Sequence, residues 1–263
     1  MDFAPLRKPH LPRSLSIIVP AYNEESRLPS TLRKIGDYLA GAGWDEVEVL
    51  VVDDGSRDGT VAVAESFAAA HPNVRVLRNP GNRGKGFSVR HGMLAAKGDW
   101  RLFTDADLSA PIEELDKLVE ATKRDNAQVA IGSRALDRSL IGVHQSGFRE
   151  FSGKIFNAIM QLAVGLRISD TQCGFKLFRA DVAREVFSRQ LIERWGFDVE
   201  ILFIARKRGF RIAEVPVRWD NVEGSKLGVF NGVTAFGELA QVRLNDLRGR
   251  YRQESNSGPA ASL

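Results

Sequence analysis

Short apolar runs alternate with amphipathic stretches along the first half of the chain. "SLSIIVP" (14–20) is an apolar run that stops at proline, the pattern of a buried strand. From about Glu24 to Ala40 the positions Leu28, Leu32, Ile35 and Leu39 recur at helical spacing and form one stripe. "VEVLVVDDGS" (47–56) is rich in β-branched residues and halts in a turn cluster, which predicts a second strand. "DGTVAVAESFAAAH" (58–71) reads as a helix with Asp58 as its candidate cap. "VRVLRN" (74–79) predicts a third strand, and the glycine-rich "NPGNRGKGFS" (79–88) leads into a helix through about Lys97. "WRLFTDAD" (100–107) is a fourth strand, and "PIEELDKLVEATKR" (111–124) is a helix opened by proline and acids. "QVAIGSR" (128–134) is a fifth strand.

Strands that alternate with helices in this way predict an α/β fold with a doubly wound, mostly parallel central sheet. Such sheets bind ligands beyond the carboxyl ends of their strands. Here those ends carry "PAYNE", "DDGS" and "DAD", so three acidic clusters are expected at one crevice. The second half is less regular. The stretch 147–168 sets Phe148, Phe151, Ile155, Ile159, Leu162 and Leu166 on one face. "DTQCGFKLFR" (170–179) reads as a loop entering a strand, 194–210 as a helix and 211–219 as a strand. The expected layout is an N-terminal extension (1–13), one domain (14–228), a C-terminal amphipathic helix (229–252) and a flexible tail (253–263).

At 263 residues and 43% hydrophobic content the chain can bury one sizeable core. A single cysteine, Cys173, excludes an internal disulfide framework and a cysteine-rich zinc site. The four histidines (His10, His71, His91, His144) lack metal-ligand spacing. No apolar run approaches the ~18 residues of a membrane span, and the first residues show no secretory h-region. The expected compartment is therefore the cytoplasm. The formal charge of +4 is mild, and the basic residues are dispersed without a nucleic-acid-binding motif, which argues against a nucleic-acid partner.

Asp105 and Asp107 carry the sharpest chemistry. Two carboxylates spaced D-x-D after an apolar strand can hold a hard divalent cation, which completes its shell with water and ligand phosphates. The competing reading is that they only cap a turn. Asp53 and Asp54 offer the same choice between turn chemistry and a ribose or base contact. "NRGKG" (82–86) places Arg83 and Lys85 among glycines that allow close approach to an anion, but it is not a P-loop. No G-x-G-x-x-G follows the first strand, which weakens a dehydrogenase reading.

The ordered segments "SIIVPAYNEESRLP", "VLVVDDGSRDGT", "NRGKGFSVRHGM" and "DADLS" resemble glycosyltransferase family 2, with the GT-A nucleotide-sugar fold. The later segments "GSRA" (132–135), "ISDTQCGFKLF" (168–178), "IERWGFDVEILFIA" (192–205) and "WDNVEGSKL" (219–227) closely resemble the dolichyl-phosphate β-glucosyltransferases. The resemblance covers about residues 14–250. It implies an inverting transfer of glucose from UDP-glucose to a polyprenyl phosphate. By motif match it assigns Pro20, Tyr22, Glu24 and Asp54 to the nucleotide, and Lys85, Lys176 and Lys226 to the nucleotide sugar as well. It assigns Asp105 and Asp107 to Mg²⁺ or Mn²⁺ against the diphosphate, and Arg134 and Arg149 to the acceptor phosphate. Asp170 is either a base or a brace for its loop. Two departures from the pattern stand out. Asp220 occupies a position that is often arginine in mannosyl relatives, and "DADL" replaces the usual "DADG". The apolar stripes of the 147–168 and terminal helices, the latter with arginines nearby, either pack on the sheet or attach the chain peripherally to the cytoplasmic face of a membrane, and a separate membrane subunit is another route. The alternatives are transfer of mannose or another hexose, a soluble acceptor, or a non-catalytic nucleotide-sugar-binding scaffold.

Overall fold

The computed structural model describes residues 14–140, 165, 168–220 and 231–252, without the side chains of 231–236 and 239. Among them seven strands form one sheet: β1 Ser14–Ala21, β2 Glu46–Asp53, β3 Val74–Arg78, β4 Trp100–Thr104, β5 Val129–Ser133, β6 Phe175–Arg179 and β7 Ile212–Pro216. Their order is β3-β2-β1-β4-β6-β5-β7. Every pairing is parallel except those of β6, which runs antiparallel between β4 and β5. From β1 the chain winds outward through β2 and β3, then crosses to β4 on the other side of β1. The switch point therefore lies between the ends of β1 and β4, where such sheets open a crevice.

Both faces of the sheet are covered, so its strands read as nearly continuous apolar runs. The pleat divides them. In β1, Leu15, Ile17 and Val19 face one core cluster and Ile18 the other. The first cluster is closed by helices α1 (Leu28–Gly41), α2 (Thr60–Ala70) and α4 (Leu115–Arg124). The second is closed by α3 (Lys85–Ala95), α5 (Ala180–Phe187), α6 (Phe197–Lys207) and Val242 of α7 (Asn231–Leu247). The stripe read for α1 is present, with Leu28, Leu32 and Ile35 buried. The helix begins at Leu28 rather than Glu24, because Glu24 to Arg27 form a turn after Asn23, whose φ is 55°. Helix α5 is not anticipated by the sequence reading. It is only two turns long, and its stripe of Val182, Ala183, Val186 and Phe187 becomes an amphipathic signal only against a neighbour.

The antiparallel β6 positions the site. Phe175 pairs with Thr104, so the start of β6 lies beside the end of β4. The loop ahead of β6 is thereby brought against the residues that follow β4, and the Gly174 backbone packs directly on the Asp105 carboxylate. Any side chain at 174 would collide with it.

The predicted helix over 147–168 falls almost entirely outside the described residues, as do Arg149 and Lys226. On α7, Val242 and Asn245 are buried, while Leu244 is 44% and Leu247 81% exposed.

Candidate active site

After Thr104 the chain leaves the sheet in a tight turn. The Leu108 amide donates to the Asp105 carbonyl (3.1 Å) and the Ser109 amide to Asp107 Oδ1 (3.0 Å). Leu108 takes a φ of 47°, a left-handed conformation that costs a branched residue roughly 1–2 kcal/mol. Burial of its side chain offsets that strain. This turn leaves both acids half-buried at the rim. Lys85 Nζ sits 2.5 Å from Asp105 Oδ1. Burial lowers the pKa of this ammonium, but the charges of Asp105, Asp198 and Asp107 outweigh burial and hold it above the usual lysine value. Arg27 donates to both oxygens of Glu24 (2.6 and 2.8 Å). That hydrogen bonding, opposed by burial and helped by the charges of Glu24 and Asp107, raises the Arg27 pKa.

The first two strand-end loops form the adjoining rim. Pro20 and Tyr22 are half-buried there. The Asn23 amide donates to Ser56 Oγ (2.9 Å), and Asn23 Oδ1 accepts from the Arg57 amide (2.8 Å). The Glu24 amide donates to Thr60 Oγ1 (2.7 Å).

Asp54 lies deeper, just past the end of β2. Its carboxylate accepts from Asn79 Nδ2 (2.8 Å), the Arg83 amide (2.9 Å) and the Gly84 amide (2.8 Å). It is buried and holds the glycine-rich loop in shape. Gly84 itself has a φ of 110°, and a Cβ there would stand 2.6 Å from the Glu193 carbonyl, so only glycine fits.

Lys176 lies inside the fold. Its side chain is fully buried, donates to the Cys173 carbonyl (2.6 Å), pairs with Asp198 and lies 5.1 Å from the Phe103 ring centre. It closes an internal ion pair and does not reach the rim. Asp198, which the sequence reading passes over, has its pKa raised by burial, against the pull of Lys176 and Lys85. Cys173 is buried, and its thiol is pushed up to about 12, so it stays neutral.

Arg134 and Asp170 form one unit. Asp170 Oδ2 accepts from the Arg134 amide (3.0 Å) and Nε (2.6 Å), and Oδ1 from Arg134 Nη2 (2.8 Å) and the Gln172 amide (3.2 Å). Burial opposes ionisation of Asp170, yet the Arg134 charge and these bonds win and hold its pKa below the usual carboxylate range. A carboxylate with four donors and a depressed pKa is a poor base, which favours the brace of the two readings. The Arg134 guanidinium stacks over Trp219, 4.8 Å from the ring centre. Trp219, Trp195 and Arg27, which border this rim, and Asp198 beneath it are not singled out by sequence reasoning. An isolated aromatic or acid at a helix start carries no periodic signal of its own.

Among the described residues no group of three or more His, Cys, Asp or Glu side chains could hold a metal unaided. Asp105 and Asp107 fit a hard cation that takes its other ligands from water and phosphate oxygens, as Mg²⁺ commonly does. No helix among the described residues is long and apolar enough to cross a membrane.

Comparison with known proteins bears on the family and the fold. Residues 16–187 match the family described as glycosyl transferase family 2. A dolichyl-phosphate β-glucosyltransferase of Drosophila melanogaster is 45% identical over 252 residues, covering 90% of this chain and 77% of that protein. A human dolichyl-phosphate β-glucosyltransferase is 37% identical over 255 residues, covering 92% and 78%. Among solved structures, glucosyl-3-phosphoglycerate synthase from Mycobacterium tuberculosis, in complex with Mn²⁺, UDP and glucosyl-3-phosphoglycerate, superposes with a TM-score of 0.62. It is 20% identical, covers 90% of this chain and 80% of its own, and shares the fold. The chain is a hexosyltransferase of glycosyltransferase family 2, on the branch that carries the dolichyl-phosphate β-glucosyltransferases.

Proposed function

We propose that the enzyme transfers glucose from UDP-glucose to the phosphate of a polyprenyl (dolichyl-type) lipid, with inversion and with the help of Mg²⁺ or Mn²⁺. The observation that carries this reading is the pair of rim carboxylates, Asp105 and Asp107, at the switch point with the Lys85 ammonium seated on Asp105. The names of the relatives supply donor and acceptor class.

In this reading Pro20, Tyr22 and the Glu24–Arg27 pair border the nucleotide, and Asp54 serves it through the loop that it holds. Asp105 and Asp107 hold the cation, which when bound would neutralise the diphosphate and stabilise the leaving UDP. Lys85 adds a positive charge on the same side. An oxygen of the acceptor phosphate attacks the anomeric carbon while the bond from that carbon to the UDP oxygen breaks. The acceptor is already anionic, so no general base is needed. This accords with the depressed pKa of Asp170 and with Asp198 being paired to Lys176. Arg134, oriented by Asp170 and stacked on Trp219, is a preorganised cation for the acceptor phosphate. Arg149 and Lys226 join it by motif match.

The lipid acceptor calls for contact with a bilayer. Exposed Leu244 and Leu247 at the end of α7, with Arg243 and the following Arg248 nearby in sequence, suit peripheral attachment to an anionic cytoplasmic surface. A membrane subunit is the alternative recruiter.

The test is incubation of the purified enzyme with labelled UDP-glucose or GDP-mannose, polyprenyl phosphate and Mg²⁺. An acid-labile glucolipid from UDP-glucose alone is expected, and label entering only from GDP-mannose would overturn the donor assignment. Asp107→Ala should lower transfer by roughly two orders of magnitude, the several kcal/mol of a lost metal contact, with an unchanged melting temperature.

A further inference from the structure

We infer that Trp195 is the face on which the donor hexose rests, an apolar wall beside the Lys85–Asp105 pair; this rests on the glucosyl-transfer reading above. The indole is 37% exposed, and its centre is 5.8 Å from Lys85 Nζ. That spacing is at the far edge of a cation–π contact.

A hexose presents two kinds of surface. Its hydroxyl edge needs charged or polar partners, and its C–H face needs an apolar wall; sugar and cofactor sites supply both from a few polar groups set among aromatic side chains. At this rim Trp195 offers the apolar wall, beside the charged Lys85–Asp105 pair.

The loop that carries the ring is pinned before any ligand arrives. The Leu191 and Ile192 amides donate to the buried Glu200 carboxylate (3.1 and 2.8 Å). The Glu193 carbonyl accepts from the Phe87 amide (3.0 Å), and its carboxylate takes Arg83 (2.8 Å) and Arg90 (3.3 Å). The Gly196 amide donates to Glu238 Oε2 on α7 (2.5 Å). Loop 190–196 also packs on Gly84 and Gly86 at the start of α3, the helix that carries Lys85. Ring, ammonium and carboxylate thus hold one relative geometry, and the ordering cost of a sugar platform is met within the fold.

The test is calorimetric titration of the full chain, with Mn²⁺ present, against UDP-glucose and against UDP. Trp195→Ala should weaken UDP-glucose about three- to tenfold, the span of an aromatic contact, and leave UDP within twofold. Trp195→Phe should restore most of the loss. If Trp195→Ala does not fold, Trp195→Leu, which keeps apolar bulk without a π face, takes its place. Equal weakening of UDP and UDP-glucose would overturn the proposal, because the ring or its loop would then serve the nucleotide. Unchanged donor affinity with a raised KM for polyprenyl phosphate would overturn it too and give the ring to the lipid. Wild-type protein that binds no UDP-glucose would sink the donor assignment itself, and would show this before any variant is made.

Discussion

Two lysine–aspartate pairs stand close together in this molecule and behave as opposites. Lys85 and Asp105 lie at the rim, 18% and 27% exposed, while Lys176 and Asp198 lie inside, 0% and 3% exposed. They are near enough that Asp198 feels Lys85 and Lys85 feels Asp198. In the sequence Lys85 lies between two glycines and Lys176 two residues after one, and both read as anion-binding cations. Water access separates them. The rim pair can exchange its partners for a ligand's oxygens, because solvent and ligand compensate the charges as they part. The inner pair cannot open without leaving two charges buried and unpaired, which is far costlier than any ligand contact it could gain.

The largest effect expected from this contrast is on the inner pair. Lys176→Met should cost about 3–5 kcal/mol of stability by leaving Asp198 uncompensated, read by urea unfolding. A loss of only ~1 kcal/mol, as for surface pairs, would mean that the pair is wetter than its burial suggests. Lys85→Met should do the reverse: transfer falls about a hundredfold, as when one charge-stabilising donor is removed, while stability shifts by no more than ~1 kcal/mol. A large drop in stability with little change in turnover would erase the distinction. Asp54→Asn, which turns one acceptor into a donor facing loop amides, should cost about 1–3 kcal/mol. Its donor affinity should fall only as the loop loosens. Unaltered stability with lost UDP binding would return Asp54 to the nucleotide. The smallest effect concerns the turn that presents the rim acids. Leu108→Gly and Leu108→Ala both lose a buried side chain, but glycine relaxes the positive φ. The glycine variant should therefore be more stable than the alanine variant by about 1 kcal/mol, the opposite of the usual order, as thermal melts would show.

The strand-end acids and the α/β alternation were legible in the amino-acid order because both are local. A parallel strand buried on both faces must be an apolar run, and "DAD" directly follows one. The stripe of Leu28, Leu32 and Ile35 is likewise a property of one helix. The reversed β6 was not legible, since "FKLFR" carries no mark of its direction. That reversal sets Gly174 against Asp105 and Lys176 inside the core.

The sequence by itself determined the layered architecture, the family and the two carboxylates at the rim, because periodicity and short motifs express what each segment buries or presents. Tertiary structure alone decided which charged groups remain open to a ligand. Asp54, Asp170 and Lys176 are satisfied by donors or acceptors far away in the chain, such as Asn79, Arg134 and Asp198. Whether a polar group has spare hydrogen-bonding capacity depends on all of its neighbours at once, and those neighbours are assigned only when the chain folds.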